Sequence, residues 1–136
     1  MRSYAQVCAS LKLMVENFRN FETGPDPFGR SWKVTFRWQQ NGISIRHADT
    51  VDTKWELECE GERQVKVVAL PMPELMSISK SSGRPITDSW CMKLGGLHLV
   101  HMIAEWGDMD KELVTLNTAE LKEYADAIAS ADVKVA

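Results

Sequence analysis

A chain of 136 residues, 44% apolar and 26% charged, has the mass of one ordinary domain and enough apolar content to bury a core, which excludes a wholly disordered protein. A formal charge of −3, with no window rich in Lys or Arg, gives no attraction to phosphate backbones, so nucleic acid is not an expected partner. Three scattered cysteines, Cys8, Cys59 and Cys91, make neither a CxxC pair nor a disulfide framework, and no apolar run has signal or membrane length; a cytoplasmic protein without a membrane partner is expected.

In chain order, Tyr4, Val7, Cys8, Leu11, Val15 and Phe18 recur at spacings of three and four, the pattern of one amphipathic helix face. Ser3 and Gln6 stand at capping-box positions, and Gly24-Pro25 follows as a stop. The stretch FETGPDPFGRSW is then a Gly/Pro-rich loop, of a length that often covers a site or interface and equally often only connects.

A four-stranded antiparallel meander is expected next. Trp32, Val34, Phe36 and Trp38 alternate with polar residues, and Asn41-Gly42 is a strong type I′ hairpin signal. That turn pairs Trp38 with Ile45 and Phe36 with His47, and sets Arg37 opposite Arg46. In the third strand Trp55, Leu57 and Cys59 face one way, while Glu56, Glu58 and Glu60 face the arginines. The fourth strand is expected to send Val65, Val67 and Ala69 inward, through a three-residue loop that pairs Cys59 with Val65 and Glu58 with Lys66. One face is then apolar and the other charged and solvated.

ELMSISKSS reads as a short helix closed by Gly83 and Pro85. Thr87 or Asp88 can cap a long buried helix running to Trp106, although Gly95-Gly96 in its middle also fits a hairpin turn. A short strand, ELVTL, precedes a final helix with Asn117 and Glu120 as a cap pair and Leu121, Tyr124, Ala125 and Ile128 inward. The whole predicts a single α+β domain over residues 1–136: a helix, a four-stranded antiparallel meander, one or two middle helices, a short strand and a C-terminal helix packed on one sheet face.

Three constellations carry candidate chemistry. Arg46, His47, Asp49 and Asp52 cluster at a strand end and the following turn, where a histidine beside carboxylates can bind a ligand or act as a base; ordinary Asp turn chemistry is the simpler account. His98, His101 and Glu105 share one face of the long helix, within about 60° around its axis, and are competent ligands for zinc, iron or manganese. Their spacing matches neither HExxH nor Glu-x-x-His, so buried structural histidines are the simpler account here too. If the helix packs on the face carrying His47, then His47, Asp49, His98, His101 and Glu105 form one pocket or divalent-metal centre. Cys91, near a helix start, is a candidate nucleophile if the helix dipole lowers its pKa, with Ser89 nearby.

Two function classes follow. The first is a small accessory or binding protein without catalysis, acting through a protein partner or self-association, with apolar surface expected around Trp32, Met72 and Met109. The second is a metal-dependent or histidine-based enzyme, or a ligand-binding domain, built on the His47/Asp49/His98/His101/Glu105 pocket.

Overall fold

The strongest alternation in the sequence, TVDTKWELEC, forms the central strand. The computed structural model describes residues 19–42 and 49–135. Its elements are β1 (Asn20–Thr23), β2 (Trp32–Gly42), β3 (Thr50–Cys59), β4 (Glu62–Pro71), α1 (Met72–Ser82), α2 (Asp88–Glu105), β5 (Leu113–Thr115) and α3 (Thr118–Val135). The helix expected over Tyr4–Phe18 and the strand expected over Ile43–His47 lie outside the described residues.

The expected four-stranded antiparallel meander is replaced by a five-stranded mixed sheet in the order β1-β2-β3-β4-β5. Asn41-Gly42 is not its hairpin turn. β2 runs through Gly42, which pairs with Thr50, and Val34 and Phe36 stand opposite Leu57 and Trp55. The longer ladder brings β2 directly against the strand holding the most deeply buried residues, a tertiary gain that outweighs the local turn preference. β1 was hidden in the loop region, because NFET is too short to show a period. β5 lies parallel to β4, with Val68 beside Val114, after a crossover through α1 and α2.

The β3–β4 ladder is shifted three residues in register from the expected one, an odd number that exchanges the two faces of β4. Glu60 and Gly61 both have positive φ, 51° and 84°, as a two-residue type I′ turn requires. Cys59 therefore pairs with Glu62, and Trp55 with Lys66. Val65 and Val67 move to the outer face, while Lys66, Val68 and Leu70 face the core. A second parity change occurs in β2, where a bulge separates Phe36, opposite Trp55, from Trp38, opposite Lys54. Trp38, expected inward, points out.

α1 and α2 cover the face lined by Val34, Val51, Thr53, Trp55, Leu57, Val68 and Leu70, and α3, expected on the sheet face, packs against these two helices instead. Thr87 caps α2, its hydroxyl accepting from the Trp90 amide at 3.1 Å. α2 then continues unbroken through Gly95-Gly96. A Cβ at Gly95 would sit 2.6 Å from Thr53 Oγ1 and 3.3 Å from Trp55 Nε1, so this glycine lets the helix lie close on β3. That approach offsets the roughly 1 kcal/mol that glycine costs in a helix interior. Asn117 and Glu120 form a reciprocal capping box at the start of α3, Glu120 N to Asn117 Oδ1 at 2.8 Å and Asn117 N to Glu120 Oε1 at 3.2 Å. Leu121, Tyr124, Ala125 and Ile128 of α3 are buried.

Candidate functional site

The histidines of α2 face α3. His98 is 4% exposed, and its Nδ1 lies 2.9 Å from the Tyr124 hydroxyl. Glu120 Oε2 approaches the same nitrogen at 3.6 Å. His101 stacks on His98 with ring centres 6.1 Å apart, and its Nε2 pairs with Glu105 Oε2 at 3.0 Å. The sequence-predicted set is thus near neighbours with separate duties: His98 bonds across to α3, and His101 pairs within its own helix. Among the described residues no group of three or more His, Cys, Asp or Glu side chains is arranged to hold a metal ion.

The other predicted site is divided. Arg46 and His47 lie outside the described residues. Asp49 is exposed just before β3, and its carbonyl accepts from the Met72 amide at 2.8 Å. Asp52 lies within β3 and not in the turn, opposite Gln40 and Ala69 on the outer face. It accepts from Thr50 Oγ1 at 2.8 Å and stands across the sheet from α2, so it does not join the helix histidines. The Cys91 thiol is only 1% exposed, and burial, with Asp88 adding to it, pushes its pKa up to about 11. An inert core thiol replaces the candidate nucleophile.

Two constellations went unread in the sequence. The first organises the Gly/Pro loop. Asp26, 4% exposed, accepts through Oδ1 from the amides of Phe28 and Arg30, at 2.9 and 2.8 Å. Its Oδ2 accepts from Arg30 Nε and Trp32 Nε1, both at 2.9 Å. Burial alone would raise the Asp26 carboxyl, but the Trp32, Arg30 and Phe28 donors together outweigh it and hold the group at about 2. The Arg30 guanidinium carbon lies 5.3, 5.5 and 5.2 Å from the ring centres of Phe28, Trp32 and Trp106. Asp between two prolines was the available signal, since Asp bonds amides two residues on.

The second is a row across the outer sheet face. Trp38, Lys54, Val67 and Leu113 stand side by side on β2, β3, β4 and β5. Lys54 Nζ sits 5.4 Å from the Trp38 ring centre. Trp38 is 38% exposed, Leu113 58% and neighbouring Val65 38%. Arg37 Nε donates to Glu56 Oε2 at 2.9 Å beside this row, and Arg63 approaches Glu56 and Glu58 at 3.6 and 3.8 Å. The apolar surface is therefore not where the sequence suggested: Trp32 and Met109 are buried and Met72 is half-buried. No sequence signal marks the row, because both parity changes that build it depend on strand partners.

No helix among the described residues is long and apolar enough to cross a membrane. No family model matches this sequence, and neither the curated proteins nor the solved structures contain a match to it.

Proposed function

We propose that the protein is a non-catalytic accessory module that acts by protein–protein contact, using the outer sheet face to bind a second copy of the chain. The bulge that turns Trp38 out of the core, into one row with Val67 and Leu113, carries this reading. A face that needed only solvation would gain nothing from an outward tryptophan, whereas bulges commonly re-aim a side chain for use.

A second copy suits the charges of this face. Its strands carry Lys33, Arg37, Lys54 and Arg63 against Glu22, Asp52, Glu56 and Glu58, four of each sign. Such a surface selects neither a strongly acidic nor a strongly basic partner, and an isologous contact lets the mixture meet its own complement. Burying an exposed Trp or Leu contributes about 1.5–3 kcal/mol at full burial, and a two-fold interface counts each residue twice. The cytoplasm is the compartment we assign, which suits the free buried thiols of Cys59 and Cys91.

A histidine-based or metal-dependent enzyme draws less support, because His98 and His101 are engaged by Tyr124 and Glu105. Light scattering tests the reading: the expected mass is twice 15.4 kDa, falling to 15.4 kDa in a Trp38→Thr/Leu113→Ser variant whose melt matches that of the wild type diluted to monomer. A wild-type monomer at high concentration, or a dimer indifferent to both substitutions, would overturn it.

A further inference from the structure

A cleft of about 460 Å³ opens where the α1–α2 turn meets the first turns of α2. Its walls include Ser82, Arg84, Thr87, Ser89, Trp90 and Lys93. Two cations and three hydroxyls therefore converge on the N-terminus of an 18-residue helix, whose first amides and dipole favour an anion. The acidic residue of that first turn, Asp88, is not part of the wall; its Oδ1 accepts from Gln39 Nε2 at 3.2 Å.

Trp90 supplies an independent observation. The residue is 3% exposed, yet its indole Nε1 has no hydrogen-bond acceptor among the described residues. Buried donors are nearly always paired, because leaving one unmade costs about 1–3 kcal/mol. A wall residue whose donor is unspent among the described residues suits an acceptor brought by a ligand. Thr87 fits the same scheme: its oxygen already accepts from the Trp90 amide, which leaves its hydroxyl proton to donate outward.

We propose that this cleft binds the phosphate group of a small phosphorylated molecule. Arg84 and Lys93 supply charge, Ser82, Thr87 and Ser89 supply hydroxyl donors, and the Trp90 indole N–H takes one phosphate oxygen. The volume exceeds that of the ion alone and lies in the range of small-ligand pockets, about 300–1,000 Å³, so the phosphate is the anchor of a larger ligand. This assignment is independent of the outer-face contact, which uses the opposite side of the sheet.

The test is titration of the full chain with inorganic phosphate, following the five tryptophan indole N–H signals by NMR. A Trp90→Phe variant identifies the Trp90 signal and removes the donor while keeping an aromatic ring in the wall. The expected result is a saturable shift of that signal, with affinity lowered about tenfold or more in an Arg84→Gln/Lys93→Gln variant and about tenfold in Trp90→Phe, as loss of a bond to a charged group implies. The melt of the Arg84→Gln/Lys93→Gln variant without phosphate is expected to match the wild type, while Trp90→Phe, a core substitution, is expected to melt lower but keep the other indole signals of the folded chain, which separates lost binding from lost folding. An unmoved Trp90 signal, the same shift with sodium chloride at equal ionic strength, or affinity unchanged in both variants would overturn the proposal.

Discussion

Each face of the sheet holds residues that belong, by composition, on the other. Lys66 lies on the core face at 3% exposure, while Trp38 and Leu113 stand on the charged face at 38% and 58%. The buried cation is held by two acceptors: its Nζ donates to the carbonyls of Met109 at 2.6 Å and Lys111 at 2.5 Å, tying the connection after α2 to β4. Asp26, the other buried charge among the described residues that bears a full unit at neutral pH, is engaged by four donors. The exposed tryptophan has one cation beside it and no covering layer among the described residues. Burial without partners is costly, so inward exceptions come with their hydrogen bonds, whereas an outward apolar residue costs little in the isolated chain and persists where a contact uses it.

This contrast can be broken in order of expected effect. Asp26→Ala removes the acceptor for four N–H groups and is expected to lower stability by about 3 kcal/mol, read by denaturant unfolding. Lys66→Met keeps the volume but strips two carbonyls of their donor, and about 2 kcal/mol of loss is expected in the same measurement. Gly95→Ala gains helix propensity but drives a Cβ into Thr53 Oγ1, which is fixed by bonds to Val68 O and Trp55 Nε1. A net loss of about 1–2 kcal/mol is expected, and Gly95→Ala combined with Thr53→Ala should cost less than the sum of the two. Trp38→Thr should change the stability of the monomer by no more than about 0.5 kcal/mol while weakening self-association. If it destabilises as strongly as Lys66→Met, the outer face is a structural layer and the contrast fails.

Acid and base act on the two buried charges with opposite signs. Asp26 is held at about 2, below its ordinary 3.8, so its contribution is present above that ordinary value and is lost as pH falls towards 2. The loss should be absent in Asp26→Ala. Burial lowers the Lys66 pKa from 10.5, only partly offset by Asp110 and Glu112. The unfolded chain then binds the proton more tightly than the folded one, so the Lys66 term becomes more favourable as pH rises towards 10.5. Melts of the wild type and Lys66→Met should therefore diverge as pH rises towards 10.5, the wild type gaining on the variant.

The candidate site divides along similar lines. One shared helix face for His98, His101 and Glu105 was legible, because helical spacing alone places them there. That Tyr124 and Glu120 would reach His98 was not, since α3 lies twenty residues and more further along the chain. The phosphate cleft was likewise hidden: SSGRP and TDSW read separately as a helix stop and a helix start, and only their meeting makes a wall.

Legible from local residues alone are the features closed within four positions or so. The Thr87 cap, the Asn117/Glu120 box, the Gly83 stop at φ 74° and the buried alternation of β3 follow from local hydrogen bonds and strand pleat, and need no distant partner. Tertiary structure decided which residues stand opposite one another. Asn41-Gly42 is a good turn that remained strand because β2 could extend along β3; the bulge before Trp38, the turn at Glu60-Gly61 and the parallel seat of β5 were settled the same way. Register is a choice among pairings of similar local merit. It is fixed by the depth to which each buries Trp55, Leu57 and Val68, a quantity that exists only once the strands and helices have met.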